Sequence, residues 1–252
     1  MQNYPNIYLK PELLGKENPW EYYFCQPFGI SLEQAYSGEN VLLSTGSELS
    51  PFPDLSMNFF EKNDVSLTEW RMFVKLGLLK LKPELEKEIN DLYKTLFSSE
   101  DRVLGVHLRG TDYMTMRPFN HPIQPSPEYA AAHVVDKLKK WNCNKIFLAT
   151  EDINIARGFK NYFGDVCIMT NREYVNYYGY NQKIPIGLLN MQRENDYFLK
   201  GKEYVTEMVL LSKCNSFITG RTSGSMGVMT LAENFENVMA FNLGRYGVVT
   251  FD

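Results

Sequence analysis

Cysteine is scarce in this chain and never closely paired. Its four residues, Cys25, Cys143, Cys167 and Cys214, form no C-x-x-C. That spacing excludes a disulfide scaffold and the usual thiolate zinc site. It reads as free thiols in a reducing compartment, with Cys143, Cys167 and Cys214 in or beside core-like runs. Histidine is rarer still, at His107, His121 and His133, and no His/Asp/Glu cluster has metal-ligand spacing. No apolar run approaches the roughly 18 residues of a membrane span, and the start, Met-Gln-Asn-Tyr-Pro-Asn, is not a secretory signal. The expectation is a cytoplasmic protein without a membrane span. Nor is there an excess of basic residues: the formal net charge is -4. A nucleic-acid partner would call for a basic stripe, so none is expected, and any anionic ligand must be held by local charge.

What is present is an ordinary globular composition, 44% hydrophobic and 22% charged, in 252 residues. That length suits one large domain or two small ones. From about residue 101, short apolar runs alternate with helical patterns. Val103–Leu108, Lys145–Thr150, Val166–Thr170, Phe217–Gly220 and Val238–Leu243 read as buried strands. Pro127–Trp141, Ile153–Phe163, Asp196–Ser212 and Ser225–Glu233 read as helices. Such alternation predicts an α/β fold, a Rossmann-like parallel sheet with crossover helices over residues 101–252. Residues 1–100 differ. Val41–Thr45 is the one convincing strand there, Leu67–Leu79 and Pro83–Phe97 read as helices, and Asn18-Pro-Trp-Glu-Tyr-Tyr-Phe24 reads as an aromatic packing anchor. This half reads as a partial α/β domain. Asn171–Arg193, rich in Tyr and Asn, reads as a long loop over a site.

Three segments carry chemistry. Val103–Tyr113 is an apolar strand that stops at His107-x-Arg109-x-x-Asp112. Ligands of open α/β sheets bind at the carboxyl ends of strands, and a guanidinium there matches phosphate oxygens. The competing reading is a plain Arg109–Asp112 ion pair. Ile218–Val228 reads as a strand, a Gly/Ser/Thr turn and a helix start, where free amides and the macrodipole bind phosphate. It matches neither G-x-x-x-x-G-K-[ST] nor G-x-G-x-x-G, and a simple Ser/Thr cap is the alternative. The strand ending Ala149-Thr150-Glu151-Asp152 could offer carboxylates to ribose hydroxyls, or Asp152 could cap the next helix.

In this order the three segments resemble the GDP-fucose-dependent fucosyltransferase superfamily, which includes the α1,2-, α1,6- and protein O-fucosyltransferases. Asn18–Phe24 and Gly29-Ile-Ser-Leu-Glu33 look like a segment of its bacterial members. The resemblance implies a two-domain, GT-B-type, inverting glycosyltransferase. Residues 1–100 would be an abbreviated acceptor-side domain, and residues 101–252 the nucleotide-sugar-binding domain. GDP-fucose would be the donor substrate and a glycan, such as a surface polysaccharide, the acceptor, with no metal or other cofactor. Arg109 would bind the β-phosphate and stabilise departing GDP, helped by Ser223 and the neighbouring amides of Thr222, Gly224 and Ser225. His107 would contact the donor, and Thr150, Glu151 and Asp152 would lie near its nucleoside. Glu207 falls where α1,6 members place a guanine-reading carboxylate, with an ordinary solvated helix residue as the alternative. The chain has no Asp-x-Asp, the short metal–diphosphate motif of the other major glycosyltransferase fold. Departures from the family are Arg109-Gly110 where several members have two arginines, and Met114-Thr-Met-Arg117 where α1,6 members carry a glutamate base. Asp112 is then the nearest candidate base, with His121 a weaker one. The family's opening strand–loop–helix unit is also missing, so an exposed edge or apolar patch favouring homo-oligomers is expected of the N-terminal half.

Overall fold

The computed structural model describes residues 19–39, 57–60, 64–179 and 184–248. The chain forms two compact units, one of Met1–Asp91 with Asn190–Val205, the other of Leu92–Leu189 with Thr206–Asp252. In the first, the described helices are α1 (Leu32–Tyr36), α2 (Val65–Lys75) and most of α3 (Pro83–Leu96). Ser31 and Asp64 cap α1 and α2 through their side chains. The aromatic anchor forms as expected: the Tyr23 ring stacks on Phe198 at 5.6 Å and its phenol donates to the Phe198 carbonyl at 2.8 Å. Helix α2 leaves Val65, Met72 and Leu76 exposed. The Val41–Thr45 strand lies outside the described residues.

The second unit is a five-stranded sheet, β1 (Val103–His107), β2 (Lys145–Ala149), β3 (Cys167–Ile168), β4 (Ser216–Gly220) and β5 (Asn237–Phe241). Every pairing is parallel, and the order is β3-β2-β1-β4-β5. Between strands run α4 (Thr111–Met116), α5 (Pro127–Lys140), α6 (Ile153–Phe163), α7 (Asp196–Ser212, which begins in the other unit) and α8 (Ser223–Leu231). Strands β1 and β4 are buried at every residue, as central parallel strands covered on both faces must be. Leu104, Val106, Ile146, Leu148, Ile155, Phe159 and Ile218 form one core cluster, each fully buried aliphatic side chain contributing about 1.5–3 kcal/mol. Gly105 lets α7 approach β1: a β-carbon there would meet Leu211 Cδ2 at 3.1 Å and Cys214 Sγ at 3.2 Å.

Some expectations shift. Strand β3 pairs only at Cys167 and Ile168, being an edge strand that leaves the ladder early. Helix α8 starts two residues sooner than its apolar pattern suggests, because Thr222 rather than a later residue caps it. Helix α4 has no apolar periodicity to announce it. All four cysteines are free, but only Cys167 and Cys214 are buried; Cys143 is partly exposed. Among the described residues, no helix is long and apolar enough to cross a membrane.

Candidate anion-binding site at the sheet switch point

From β1 the chain winds outward through β2 to the β3 edge, then returns to β4 and winds the other way. The direction reverses between β1 and β4, so a crevice opens beyond the carboxyl ends of those two strands. His107 and Arg109 lie on one side of it, and Thr222–Ser225 at the start of α8 on the other.

The β1 side is a dense polar knot. Arg109 Nη2 donates to Asp112 Oδ1 at 2.9 Å, its Nε lies 3.5 Å from Glu151 Oε1, and its Cζ sits 5.0 Å from the Tyr113 ring centroid. Both the ion pair and a partly exposed guanidinium therefore coexist, the side chain keeping 21% exposure. Asp112 accepts at Oδ1 from Arg109, Thr111 Oγ1 and the Tyr113 amide, and at Oδ2 from the Ile186 amide. With both oxygens bonded, it is a strut. Thr111 takes φ of 52°, a strained value for a β-branched residue. Its hydroxyl lies 2.9 Å from Glu151 Oε1 and 3.1 Å from Asp112 Oδ1, and can donate to one at a time. Burial alone would raise the Glu151 carboxyl. The Arg109 charge, the residue's own amide, Thr111 and Arg172 outweigh it and hold the group below the usual range.

Asp152 is the cap that its position allowed. Its Oδ1 accepts from the Asn154 and Ile155 amides at 2.8 and 3.4 Å, and its Oδ2 from the Thr111 amide at 3.1 Å. Thr150 is buried, its hydroxyl accepting from the Asp152 amide.

His107 joins β1 to α8. Its Nδ1 lies 3.1 Å from Ser225 Oγ, which also donates to the Gly220 carbonyl at 2.7 Å and contacts Thr219 and Thr222 hydroxyls at 2.6 and 2.8 Å. Burial, with Glu151 opposing and Arg109 assisting, pushes the imidazole down to about 4, so it is neutral at pH 7. When Ser225 donates to Gly220, Nδ1 must carry the proton, and only Nε2 is available to a ligand. Thr222 caps α8 by accepting from the Ser225 amide at 3.1 Å. The preceding amides, of Ser223 and Gly224, have no intrahelical acceptor, and Ser223 is exposed. Ser225 thus organises the turn from inside, while Ser223 is exposed and Gly224 is buried in the first turn of α8, with the macrodipole behind them.

Glu207 is not solvated. It is 2% exposed, with Oε1 accepting from Thr170 Oγ1 at 2.7 Å and Oε2 from Arg172 Nη1 at 2.6 Å. Burial pushes its carboxyl up, against Arg172 and Thr170. A guanine reaching it must take over those contacts. Electrostatically it belongs with the knot, since Arg172 also acts on Glu151. Arg172, in the Asn171–Arg193 stretch, and Thr111 were not singled out from sequence. An arginine in a tyrosine-rich loop carries no local signal, and a positive φ leaves no mark in composition. Near this pair, at the sheet edge, a cavity of about 340 Å³ is lined by residues including Ile168, Thr170, Asn171 and Tyr174.

No family model and no curated protein matches the chain. Solved structures similar to it include NodZ α-1,6-fucosyltransferase soaked with GDP-fucose, at 18% identity over 71% of this chain and 52% of that one, TM-score 0.44. The selenomethionine form of NodZ from Bradyrhizobium is 19% identical over 70% and 50%, TM-score 0.43. POFUT1 in complex with GDP-fucose is 10% identical over 69% and 49%, TM-score 0.44. The chain spans about half the length of these structures.

Proposed function

We propose that the chain is a fucosyltransferase-like, inverting glycosyltransferase of GT-B type that moves a sugar from a GDP-sugar to a glycan acceptor. GDP-fucose is the donor implied by the sequence resemblance. One observation carries the reading: Arg109, two residues past the end of β1, and exposed Ser223, opening α8 just past β4, come from adjacent parallel strands where the winding of the sheet reverses. In glycosyl transfer the leaving diphosphate gains negative charge as the sugar becomes oxocarbenium-like. Cations and amides fixed in advance stabilise that charge without reorganising. Arg109 would serve the β-phosphate, the α8 amides its remaining oxygens, and His107 Nε2 would accept from a ligand hydroxyl. The absence of Asp-x-Asp from the sequence supports a donor site that works without a metal.

Calorimetric titration with GDP, UDP and ADP in EDTA tests this. Selective GDP binding is expected, lost in Arg109→Ala; equal affinity for the three, or binding that needs a divalent cation, would refute it. Asp112 favours a second reading, a nucleotide-sugar-binding remnant without turnover, because its two oxygens already accept from Arg109 and from the Tyr113 and Ile186 amides. Release of GDP from GDP-fucose separates the two.

A further inference from the structure

We propose that His121 is the proton-accepting group on the acceptor side of this site, with Tyr113 as its positioning residue. The assignment rests on the glycosyl-transfer reading above and offers a base other than Asp112, whose oxygens already accept from Arg109 and two backbone amides.

His121 is exposed, yet both its ring and its backbone are held. Its Nδ1 lies 2.9 Å from the Tyr113 hydroxyl, and the rings meet edge-on at 5.3 Å and 76°. Its amide donates to the Pro118 carbonyl at 3.1 Å, and its carbonyl accepts from the Tyr246 amide at 2.9 Å. Asn120 and Ile123 pair with Tyr246 and Gly244 on either side, so the loop is stitched to the chain following β5. Gln124, buried, then ties the loop to the turn before α8 by donating from Nε2 to the Arg221 carbonyl at 3.1 Å. A β-carbon on Gly220 would land on the Gln124 amide oxygen, so loop and turn are fitted to each other. This loop therefore borders both halves of the crevice. An exposed side chain held this way loses rotamer freedom that a surface histidine ordinarily keeps.

Tyr113 links the two functional groups. One side of its ring carries the Arg109 guanidinium at 5.0 Å, and its hydroxyl meets His121. The Arg109 guanidinium and the imidazole are thus both held by a single phenol. Burial raises the Tyr113 phenol, Arg109 opposing and Asp112 adding, so it stays protonated and its oxygen can accept from Nδ1–H. A neutral phenol can either donate to Nδ1 or accept from Nδ1–H; the base role requires the second arrangement, in which Nε2 keeps its lone pair. In the reaction the acceptor oxygen bonds to the sugar's C1 as its proton passes to His121 Nε2. The bond from C1 to the diphosphate oxygen breaks, and its electron pair leaves with GDP.

The test uses the whole chain, with the His121 imidazole assigned by nitrogen NMR against His121→Asn. The expected ring is protonated at Nδ1 and bare at Nε2, its signals moving when GDP binds, and Tyr113→Phe should lose the tautomer preference. An Nε2–H tautomer, or signals that stay still while calorimetry shows GDP bound, would overturn the assignment and leave the donor-site reading intact. Absence of GDP binding would overturn both. With GDP-fucose and water as acceptor, His121→Asn should lower kcat about 100-fold, within the usual range for a general base, and leave KM within about twofold. An unchanged kcat in that variant would also overturn it.

Discussion

A β-carbon on Gly110 would lie 2.6 Å from Asp152 Oδ2 and 2.9 Å from Ile155 Cδ1, closer than real carbons come. Here the absence of a side chain is what allows the strand end to turn into α4 against the α6 cap. The position after Arg109, where several members of the resembling family carry a second arginine, cannot hold one in this packing. Gly110→Ala should cost about 1–3 kcal/mol, as overpacking does, read as a lower urea midpoint. His107 makes a second prediction at this scale. Its pKa of about 4 in the fold is below the ordinary imidazole value near 6.5, so the unfolded chain binds more protons between the two. The stabilisation is fully present above about pH 6.5 and is lost as pH falls toward 4, a change of about 3 kcal/mol. Denaturation across that range should show wild type losing more stability than His107→Asn, whose amide can still reach Ser225 but does not titrate. Equal slopes would mean that the imidazole is not buried neutral.

The elements of the second unit were largely legible because each carried its own punctuation. Ser126 and Pro127 open α5, the cap accepting from the Tyr129 amide, and Asp152 opens α6. Apolar runs of five gave the central strands. Helix α4 was not legible, since its six residues, Thr111–Met116, are held by the knot around Asp112 and Asp152 rather than by a periodic face. The same side chain thus serves two helices: Asp152 caps α6 with one oxygen and holds the first amide of α4 with the other. Asp152→Ala should cost about 2 kcal/mol, near the upper end for a lost cap, because both helix starts lose an acceptor. Asp152→Asn should keep the α6 cap but set an amide N–H against the Thr111 N–H. It should therefore fall between wild type and Ala in thermal unfolding. At α8 the division is sharper. Ser225→Ala removes the hydroxyl that His107, Thr219, Thr222 and Gly220 share and should cost about 1–3 kcal/mol in lost buried hydrogen bonds. Exposed Ser223→Ala should leave stability within about 0.5 kcal/mol, the ordinary range for surface changes. If both variants unfold alike, Ser225 is not the organiser of that turn.

At the scale of the whole molecule, the sequence shows strands and strand ends but not which strands adjoin. The reversal between β1 and β4 is set by the path from β3 back to β4, which leaves no local trace. For the same reason Arg109 and Thr222–Ser225 could be named separately, whereas the bond from His107 to Ser225 that joins them could not. Nor could the charge surroundings of Arg109 be read. A protein of net charge -4 must make its anion site locally, yet Arg109 and Arg172 are matched here against Asp112, Glu151 and Glu207. Those three carboxylates exceed the two guanidiniums by one charge, so an incoming diphosphate competes with groups that already hold Arg109. Glu151 decides between two roles. As a receptor for ribose hydroxyls, its neutralisation would weaken nucleotide binding. As a buried counter-charge 3.5 Å from Arg109 Nε, its neutralisation would release the guanidinium to the ligand. The geometry favours the second, because Oε1 lies 3.5 Å from Arg109 Nε and within reach of the Thr111 hydroxyl. Glu151→Gln keeps the shape and an amide oxygen for Thr111, and should tighten GDP binding about three- to tenfold, or roughly 1 kcal/mol. Calorimetry at fixed low salt reads the change directly. A weaker affinity in Glu151→Gln, with its fold intact by circular dichroism, would return Glu151 to the nucleoside.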